Sequence, residues 1–268
     1  MSPFQTGPRP YKTPTLIMKF LISLGALTAV AATLASAELA PAGEPAVTGT
    51  ITGKIVFEGD KPEIKPLTIG ADQSKGCCDD GTSVDDTDYS LVVGEGGGIQ
   101  YAVVTLEVKD AKAEIKDEPV VLDQQGCRFL PHLIVVPVGQ KISYKNSDTV
   151  SHNVHTYPIK NTPLNQTVAA GGALEASYTK AEEIKVGCDI HPWMASYVVV
   201  TDASHFAVTD ATGAFSLPNV PPGKYKVEIW HEKLGKAKFD AVVNEDGSSE
   251  AIEHKMGAKK KKGGRRGR

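Results

Sequence analysis

Residues 188–194 read CDIHPWM, which places a thiol, an imidazole and a thioether within seven residues of one another. The whole chain has 268 residues but only four cysteines and four methionines. The spacing is Cys188-x2-His191-x2-Met194, and Pro192 restricts the backbone of the same short segment. Three side chains of this chemistry in one restrained loop predict a metal-binding site.

A second imidazole is needed to complete a mononuclear electron-transfer copper site, and it has to come from a different strand. The segment SHNVH, residues 151–155, offers His152 and His155 as candidates. Thiolate and thioether are soft donors that suit Cu(I), and imidazole suits both Cu(I) and Cu(II). Zinc sites use Cys, His and carboxylate ligands rather than Met, so Met194 favours copper over zinc.

The two segments SHNVH and CDIHPWM resemble the copper-binding segments of the cupredoxin family, and amicyanins most of all. The stretch PVGQKISYKNSD, residues 137–148, is similar to the strand pair that precedes the first histidine in that family. The resemblance covers residues 118–202 and implies a Greek-key β-sandwich with one type 1 copper. It assigns His152, Cys188 and His191 as equatorial ligands and Met194 as the axial ligand.

Asp189 departs from the cupredoxin pattern, in which Ser or Thr often follows the cysteine and hydrogen-bonds to an Asn. The resemblance therefore predicts that Asp189 faces Asn153. A carboxylate so close to the sulfur favours oxidised copper, which predicts a lowered reduction potential. His191 is expected to be the electron exit, with Pro192 and Trp193 forming the patch where a redox partner docks; packing within the loop is the other role expected of Trp193.

The rest of the sequence predicts an all-β protein. Gly and Pro are frequent, at 26 and 17 residues, and they separate short Val-rich runs. Residues 49–59, GTITGKIVFEG, alternate with period two, and IQYAVVTLEV, residues 99–108, reads as another strand. In EEIKVGCDI the alternation places Ile184, Val186 and Cys188 on one face of a strand.

Residues 209–235 carry a second resemblance, through a Thr-Asp-x-x-Gly-x-Phe turn at 209–215 and a Pro-Pro-Gly-x-Tyr turn at 221–225. Both turns are typical of the carboxypeptidase regulatory-like, or transthyretin-like, β-sandwich. The opening and middle strands of that fold resemble residues 49–59 and 102–108. This predicts a discontinuous sandwich into which the cupredoxin is inserted; in the simpler alternative the order is linear and the first strands belong to the cupredoxin.

The N-terminus is interpreted as an upstream extension and a signal peptide. Lys19 precedes an apolar run that begins at Phe20 and ends in the small residues Ala35-Ser36-Ala37, which predicts cleavage near Ala37 and a periplasmic or extracellular protein. A retained N-terminal anchor is the alternative.

The predicted domain limits divide the chain into six parts. They are extension and signal peptide 1–37, linker 38–47, first part of the regulatory-like sandwich 48–117, cupredoxin 118–202, second part of the regulatory-like sandwich 203–256 and disordered basic tail 257–268.

Three further cysteines remain, and an oxidising compartment favours a disulfide between Cys127 and one member of the pair Cys77 and Cys78. The sequence does not choose between the two.

His132 is expected to be structural, and His231 to be exposed or packed against Trp230. His155 is expected at the surface or beside the ligands, with an additional copper as the alternative.

Charge and motifs limit the functions that are open to the chain. Eight of the last fourteen residues are Lys or Arg, whereas the preceding residues are acidic overall. The tail could contact an anionic surface, and nucleic acid is not an expected partner of an exported protein. No catalytic triad or phosphate loop is evident, so we expect an electron carrier with redox protein partners rather than an enzyme. The alternatives are a structural or carbohydrate-binding or partner-binding sandwich with a secondary copper site, and a periplasmic copper-binding or delivery protein.

Overall fold

The structure is a computed structural model that describes residues 46–78 and 83–257. Chain contacts divide the protein into Met1–Glu44 and Pro45–Arg268, and every described residue belongs to the second unit. The predicted signal peptide, most of the predicted linker and all but Gly257 of the basic tail lie outside the described residues. In the part that is described, no helix is long and apolar enough to span a bilayer.

Nine strands in the middle of the chain form two sheets. They are β3 (Val120–Gln124), β4 (Phe129–Leu130), β5 (Leu133–Pro137), β6 (Ile142–Asn146), β7 (His152–Tyr157), β8 (Asn165–Val168), β9 (Ala173–Ala176), β10 (Glu182–Gly187) and β11 (Ala195–Thr201). One sheet has the order β5-β11-β10-β7-β8 and the other the order β4-β3-β6-β9. We call this pair of sheets the middle sandwich.

Seven strands that flank the middle sandwich in sequence form two more sheets. They are β1 (Gly49–Phe57), β2 (Val103–Leu106), β12 (His205–Val208), β13 (Ala214–Val220), β14 (Gly223–His231), β15 (Gly235–Val243) and β16 (Ile252–Met256). Their orders are β13-β1-β16 and β12-β2-β14-β15. We call this pair the outer sandwich; a single 3₁₀ turn, Glu95–Gly97, precedes β2.

The first strands of the chain share sheets with the last ones. Strand β1 pairs antiparallel with β13 and parallel with β16, and β2 pairs with β12 and β14. This is the pairing of a sandwich interrupted by a second one, and the all-β fold predicted from the alternating runs is confirmed. The resemblance of the outer sandwich to the regulatory-like family and the exact domain limits stay predictions.

Each sandwich has its own apolar core, as the period-two patterns require. In the middle sandwich Ile142, Tyr144, Ile184 and Val186 are fully buried, and the hydroxyl of Tyr144 lies 2.9 Å from that of Tyr178. The outer core consists of Ile51, Ile55, Ile99, Ala102, Val104, Leu106, Phe215, Leu217, Val220, Val227, Ile229, Leu234, Ala241, Val243 and Met256. Each sandwich therefore consists of the strands whose apolar faces share one core.

The turn before β13 shows why the motif Thr-Asp-x-x-Gly-x-Phe has this form. The carboxylate of Asp210 accepts hydrogen bonds from the backbone of Thr212 and Ala214. Gly213 has a φ of +76°, and a Cβ at this position would lie 2.3 Å from the carbonyl oxygen of Ile55. A side chain is therefore excluded by both the backbone conformation and the neighbouring strand.

The two sandwiches meet through a small apolar cluster centred on Val103, Leu133 and Val199. Beside this cluster the buried imidazole of His132 hydrogen-bonds to the carboxylate of Glu232, a structural contact of the kind predicted for His132. His231 is 1% exposed, and burial lowers its pKa to about 4, which keeps the ring neutral near pH 7. Neither histidine belongs to the candidate metal group described below.

Between β1 and β2 runs a segment that packs on the middle sandwich rather than on the outer one. Leu67, Ile69 and Val84 contact the core of the middle sandwich. A disulfide between Cys77 and Cys127 fixes the segment covalently, and Cys78 is free and half-buried. We call residues 66–78 and 83–90 the cover segment; its disulfide confirms the predicted pairing and selects Cys77.

The buried alternation can be tested at one position of β10. We expect Ile184→Ala to lower the free energy of unfolding by about 2–5 kcal/mol, because the lost methylenes leave a cavity in a close-packed core. The matched change Ile159→Ala, at a side chain that is 94% exposed, should change it by less than about 0.5 kcal/mol. Urea denaturation followed by circular dichroism measures both, and equal losses would contradict the core assignment.

Candidate metal centre

Two neighbouring strands carry the predicted metal ligands to one end of the middle sandwich. His152 is the first residue of β7, and Cys188 follows the last residue of β10 directly. The two strands pair antiparallel, with Gly187 opposite His155. This register places residues that are 36 positions apart in sequence beside each other, as the two-segment motif predicts.

The side chains of His152, Cys188 and His191 converge. Nδ1 of His152 lies 2.9 Å from Nδ1 of His191, and the Sγ atom of Cys188 lies 3.9 Å from Nδ1 of His191. One donor atom from each of the three residues lies within 4.8 Å of the others. A metal bound at about 2.0–2.3 Å from N and S donors needs donors at such separations, so these residues fit a single ion.

The loop from Cys188 to Met194 is closed by its own backbone. Met194 N–H donates to the carbonyl of His191 at 2.9 Å, and Cys188 N–H donates to the carbonyl of Met194 at 3.3 Å. The side chain of Met194 is 1% exposed and belongs to the same apolar core as Cys188. The sequence prediction that Met194 is the axial ligand remains a prediction.

The Nδ1 atoms of the two imidazoles face each other, and the Nε2 atom of each ring lies against another group of the protein. Nε2 of His152 lies 2.7 Å from a carboxylate oxygen of Asp148 and donates to it. Nε2 of His191 faces Sγ of Cys77 in the disulfide at 3.9 Å. The Asp148 carboxylate holds the ring proton of His152 on Nε2, so the Nδ1 lone pair of His152 is available to a metal.

The pKa shifts favour the metal-binding form of the thiol. Burial raises the pKa of Cys188, but hydrogen bonds to His152 and to the backbone of Asn153 bring it below its ordinary value. Burial lowers the pKa of His152, whereas its hydrogen bonds to Cys188 and Asp148 raise it above the ordinary value. Burial and the charge of His152 both lower the pKa of His191. A metal would thus replace a proton shared in this group, which makes affinity fall as pH falls.

Asp189 faces Asn153, where the family resemblance predicts it. Asp189 N–H donates to Oδ1 of Asn153, and Nδ2 of Asn153 donates to the Asp189 carboxylate at 3.1 Å. The same carboxylate lies 2.9 Å from Nδ1 of His155 and accepts from Asn165 at 3.0 Å. These bonds, His155 first, lower the pKa of Asp189, so the carboxylate stays charged beside the Cys188 backbone.

The outer edge of His191 is covered. The ring is 5% exposed, with the Cys77–Cys127 disulfide against its Nε2 atom and the ring of Trp193 at 5.2 Å between centroids. Trp193 is buried and donates from its indole nitrogen to the carbonyl of Cys127 at 3.0 Å, so loop packing, one of its two expected roles, is observed. Pro192 is exposed. Docking of a partner at Pro192 and Trp193 stays a prediction.

Sequence reasoning missed two features of this centre, the role of Asp148 and the position of the predicted disulfide. Asp148 holds His152 and also accepts from the backbone N–H groups of Gly126 and Cys127, at 2.6 and 2.8 Å. The disulfide lies directly against His191, although its two cysteines are separated in sequence from both ligand segments. Asp148 stands four residues before His152, but nothing in the sequence distinguishes it from an ordinary turn residue.

The sequence matches no protein-family model and no curated protein. Among solved structures it is similar to the copper-containing nitrite reductase NirK from Thermus scotoductus SA-01, with 22% identity over 35% of this chain and 25% of that one, at a TM-score of 0.31. It is similar to a methionine-to-alanine mutant of amicyanin in the Cu(I) state, with 23% identity over 37% of this chain and 98% of amicyanin, at a TM-score of 0.30.

A third similar structure is a purple cupredoxin from Nitrosopumilus maritimus, with 21% identity over 32% of this chain and all of that one, at a TM-score of 0.27. These neighbours are cupredoxins or contain copper, and each likeness covers about a third of the present chain. This chain spans only a quarter of the length of the nitrite reductase. The chemistry of the centre is therefore argued from its own residues.

The role of Asp148 can be tested by metal affinity. Asp148→Asn removes the charged acceptor of the His152 Nε2–H group, and we expect copper affinity to fall by roughly 10–100-fold, as is typical when the partner of a metal-binding histidine is lost. Asp240→Asn, which alters an exposed ion pair with Lys226 on the outer sandwich, is the control and should leave affinity unchanged. Competition titration with a chelator measures both. An affinity for Asp148→Asn equal to that of the unmodified protein would show that the carboxylate does not orient His152.

Proposed function

We propose that this protein binds one type 1 copper and carries single electrons between redox partners. The observation that carries the proposal is the convergence of His152, Cys188 and His191 at the end of β7 and β10. Copper, when bound, would supply one-electron exchange between its two oxidation states. A soft thiolate beside two imidazoles suits both states.

The surrounding residues would keep the ligand geometry constant during that exchange. Asp148 fixes the ring of His152, and the hydrogen-bonded turn from Cys188 to Met194 limits movement of the loop ligands. All four proposed ligand side chains are buried, which excludes water from the metal. A rigid and dry site reduces the rearrangement that accompanies electron transfer, which is the property a carrier needs and a catalyst with a substrate position does not.

The proposal includes the location and partners expected from the sequence. A disulfide is typical of proteins that fold in an oxidising compartment, and Cys77–Cys127 supports export to the periplasm or the cell exterior. The partners would be redox proteins, and the basic tail would provide any contact with an anionic surface. The outer sandwich would position the copper domain.

Copper loading tests the proposal directly. The protein with one copper should show an intense visible band from thiolate-to-copper charge transfer and the narrow copper hyperfine splitting of a type 1 site in its EPR spectrum. Cys188→Ala should lose both signals, because it removes the thiolate. Cys78→Ala removes the other free cysteine and should keep both. Absence of the visible band from the copper-loaded unmodified protein would refute the carrier.

A second measurement concerns the reduction potential. Asp189→Asn removes a negative charge from the residue that follows Cys188 but keeps a side chain of the same shape, and we expect the potential to rise because oxidised copper loses stabilisation. Asp246→Asn, in an exposed turn of the outer sandwich, should leave the potential unchanged. Protein-film voltammetry compares the three proteins, and a potential that falls in Asp189→Asn would contradict the electrostatic role of the carboxylate.

A further inference from the structure

The imidazole of His191 has sulfur on both of its edges. On the inner edge, Nδ1 faces the Sγ atom of Cys188 at 3.9 Å. On the outer edge, Nε2 faces the Sγ atom of Cys77, also at 3.9 Å. While Cys77 is bonded to Cys127, the outer sulfur is not a thiolate and only the inner edge has a complete set of metal donors.

The outer edge nevertheless carries the donors of a second site. The two sulfur atoms of Cys77 and Cys127 and a ring nitrogen of His191 lie within 4.8 Å of one another, and all three residues are buried. Two thiolates and an imidazole form a soft donor set that favours Cu(I). The proposed carrier site uses neither Cys77 nor Cys127.

We propose that reduction of the Cys77–Cys127 disulfide creates an outer copper(I) site formed by Cys77, Cys127 and Nε2 of His191. Because His191 also belongs to the inner group, copper(I) held outside lies one imidazole ring away from the position between His152 and Cys188. The outer site is thus a loading position from which copper passes inward by ligand exchange. In that step His191 changes its donor from Nε2 to Nδ1 and its ring proton moves to Nε2, the Cys188 thiol loses its proton, and the thiolates of Cys77 and Cys127 take up protons. The inward step rests on the proposed copper function of the inner group, whereas binding at the outer site does not.

The reductant is an external dithiol. One of its thiolates attacks a sulfur of the disulfide and forms a mixed disulfide, and its second thiol then resolves that bond. The dithiol leaves as a disulfide, having given two electrons and two protons, and Cys77 and Cys127 become thiols. Binding of copper(I) then displaces the thiol protons.

The cover segment is attached in a way that lets a dithiol reach the buried disulfide through transient local opening. No strand lies between Phe57 and Val103 in the described residues, so few ladder hydrogen bonds hold the segment. Beyond its apolar contacts and the disulfide, Arg128 donates to the carbonyls of Asp85 and Thr87 at 2.9 and 2.8 Å. A segment held mainly by one covalent bond and side-chain contacts opens at lower cost than a core strand.

The test uses the full chain carrying Cys188→Ala, which disables the inner group. The disulfide form is compared with the form reduced by dithiothreitol, after anaerobic removal of the reductant and a count of free thiols. Copper(I) is titrated in competition with bicinchoninate. We expect no copper(I) bound in the disulfide form and one equivalent bound in the reduced form, with thiolate-to-copper absorption in the ultraviolet.

Three further variants in the reduced Cys188→Ala protein separate a built site from free thiols. Cys77→Ser and His191→Gln should each weaken copper(I) binding by roughly ten-fold or more, because each removes one donor of the soft set. Cys78→Ser, at the free cysteine of the same segment, should leave it unchanged. Failure of the reduced protein to bind copper(I) would overturn the proposal, and so would binding that is equally tight in His191→Gln, which is the behaviour of an unfolded chain with exposed thiols.

The result of this copper(I) titration is independent of the spectroscopic test of the electron-carrier proposal. The visible band is measured in the disulfide form of the unmodified protein, in which the outer site does not exist. Loss of the band would refute the carrier and leave the outer site standing, whereas absence of copper(I) binding in the reduced Cys188→Ala protein would refute the outer site alone.

Discussion

The antiparallel pairing of β7 with β10 is the constraint on which the centre depends. With Gly187 opposite His155, the start of one strand meets the end of the other, and His152 and Cys188 reach the same end of the sheet. A slip of one residue would turn Cys188 away from the core, since strand side chains alternate between faces. Buried Ile184 and Val186 on the same strand prevent this slip, so core packing and the arrangement of the proposed ligands are specified together.

Asp148 connects this pairing to the cover segment. Its carboxylate holds the ring of His152 and the backbone of Gly126 and Cys127, and Cys127 carries the disulfide that reaches Cys77. One buried acid thereby joins His152, a proposed metal ligand, to the covalent anchor of the segment that covers His191. The accessibility of His191 consequently depends on whether the Cys77–Cys127 disulfide is intact.

The interruption of the outer sandwich also has a physical consequence. Strands β1 and β2 find their partners only after the entire middle sandwich has been traversed, so the outer sheets depend on contacts between residues far apart in sequence. Such non-local pairing is slow to form, and a middle sandwich with its own core brings the two ends together. The hydrogen bond between His132 and Glu232 and the apolar cluster around Leu133 then join the two sandwiches.

The sequence by itself determined the all-β class and the alternating core faces, because strand period is a local property. The resemblance of its two short segments to cupredoxins singled out His152, Cys188 and His191 as candidate ligands. It also left two candidates, Cys77 and Cys78, for the disulfide partner of Cys127. Only the tertiary structure decided that Cys77 is the partner, that Asp148 orients His152, and that the outer edge of His191 is closed by the disulfide. These are contacts between segments without a shared local pattern; they depend on where strand pairing carries each segment in space, which residue spacing along the chain does not encode.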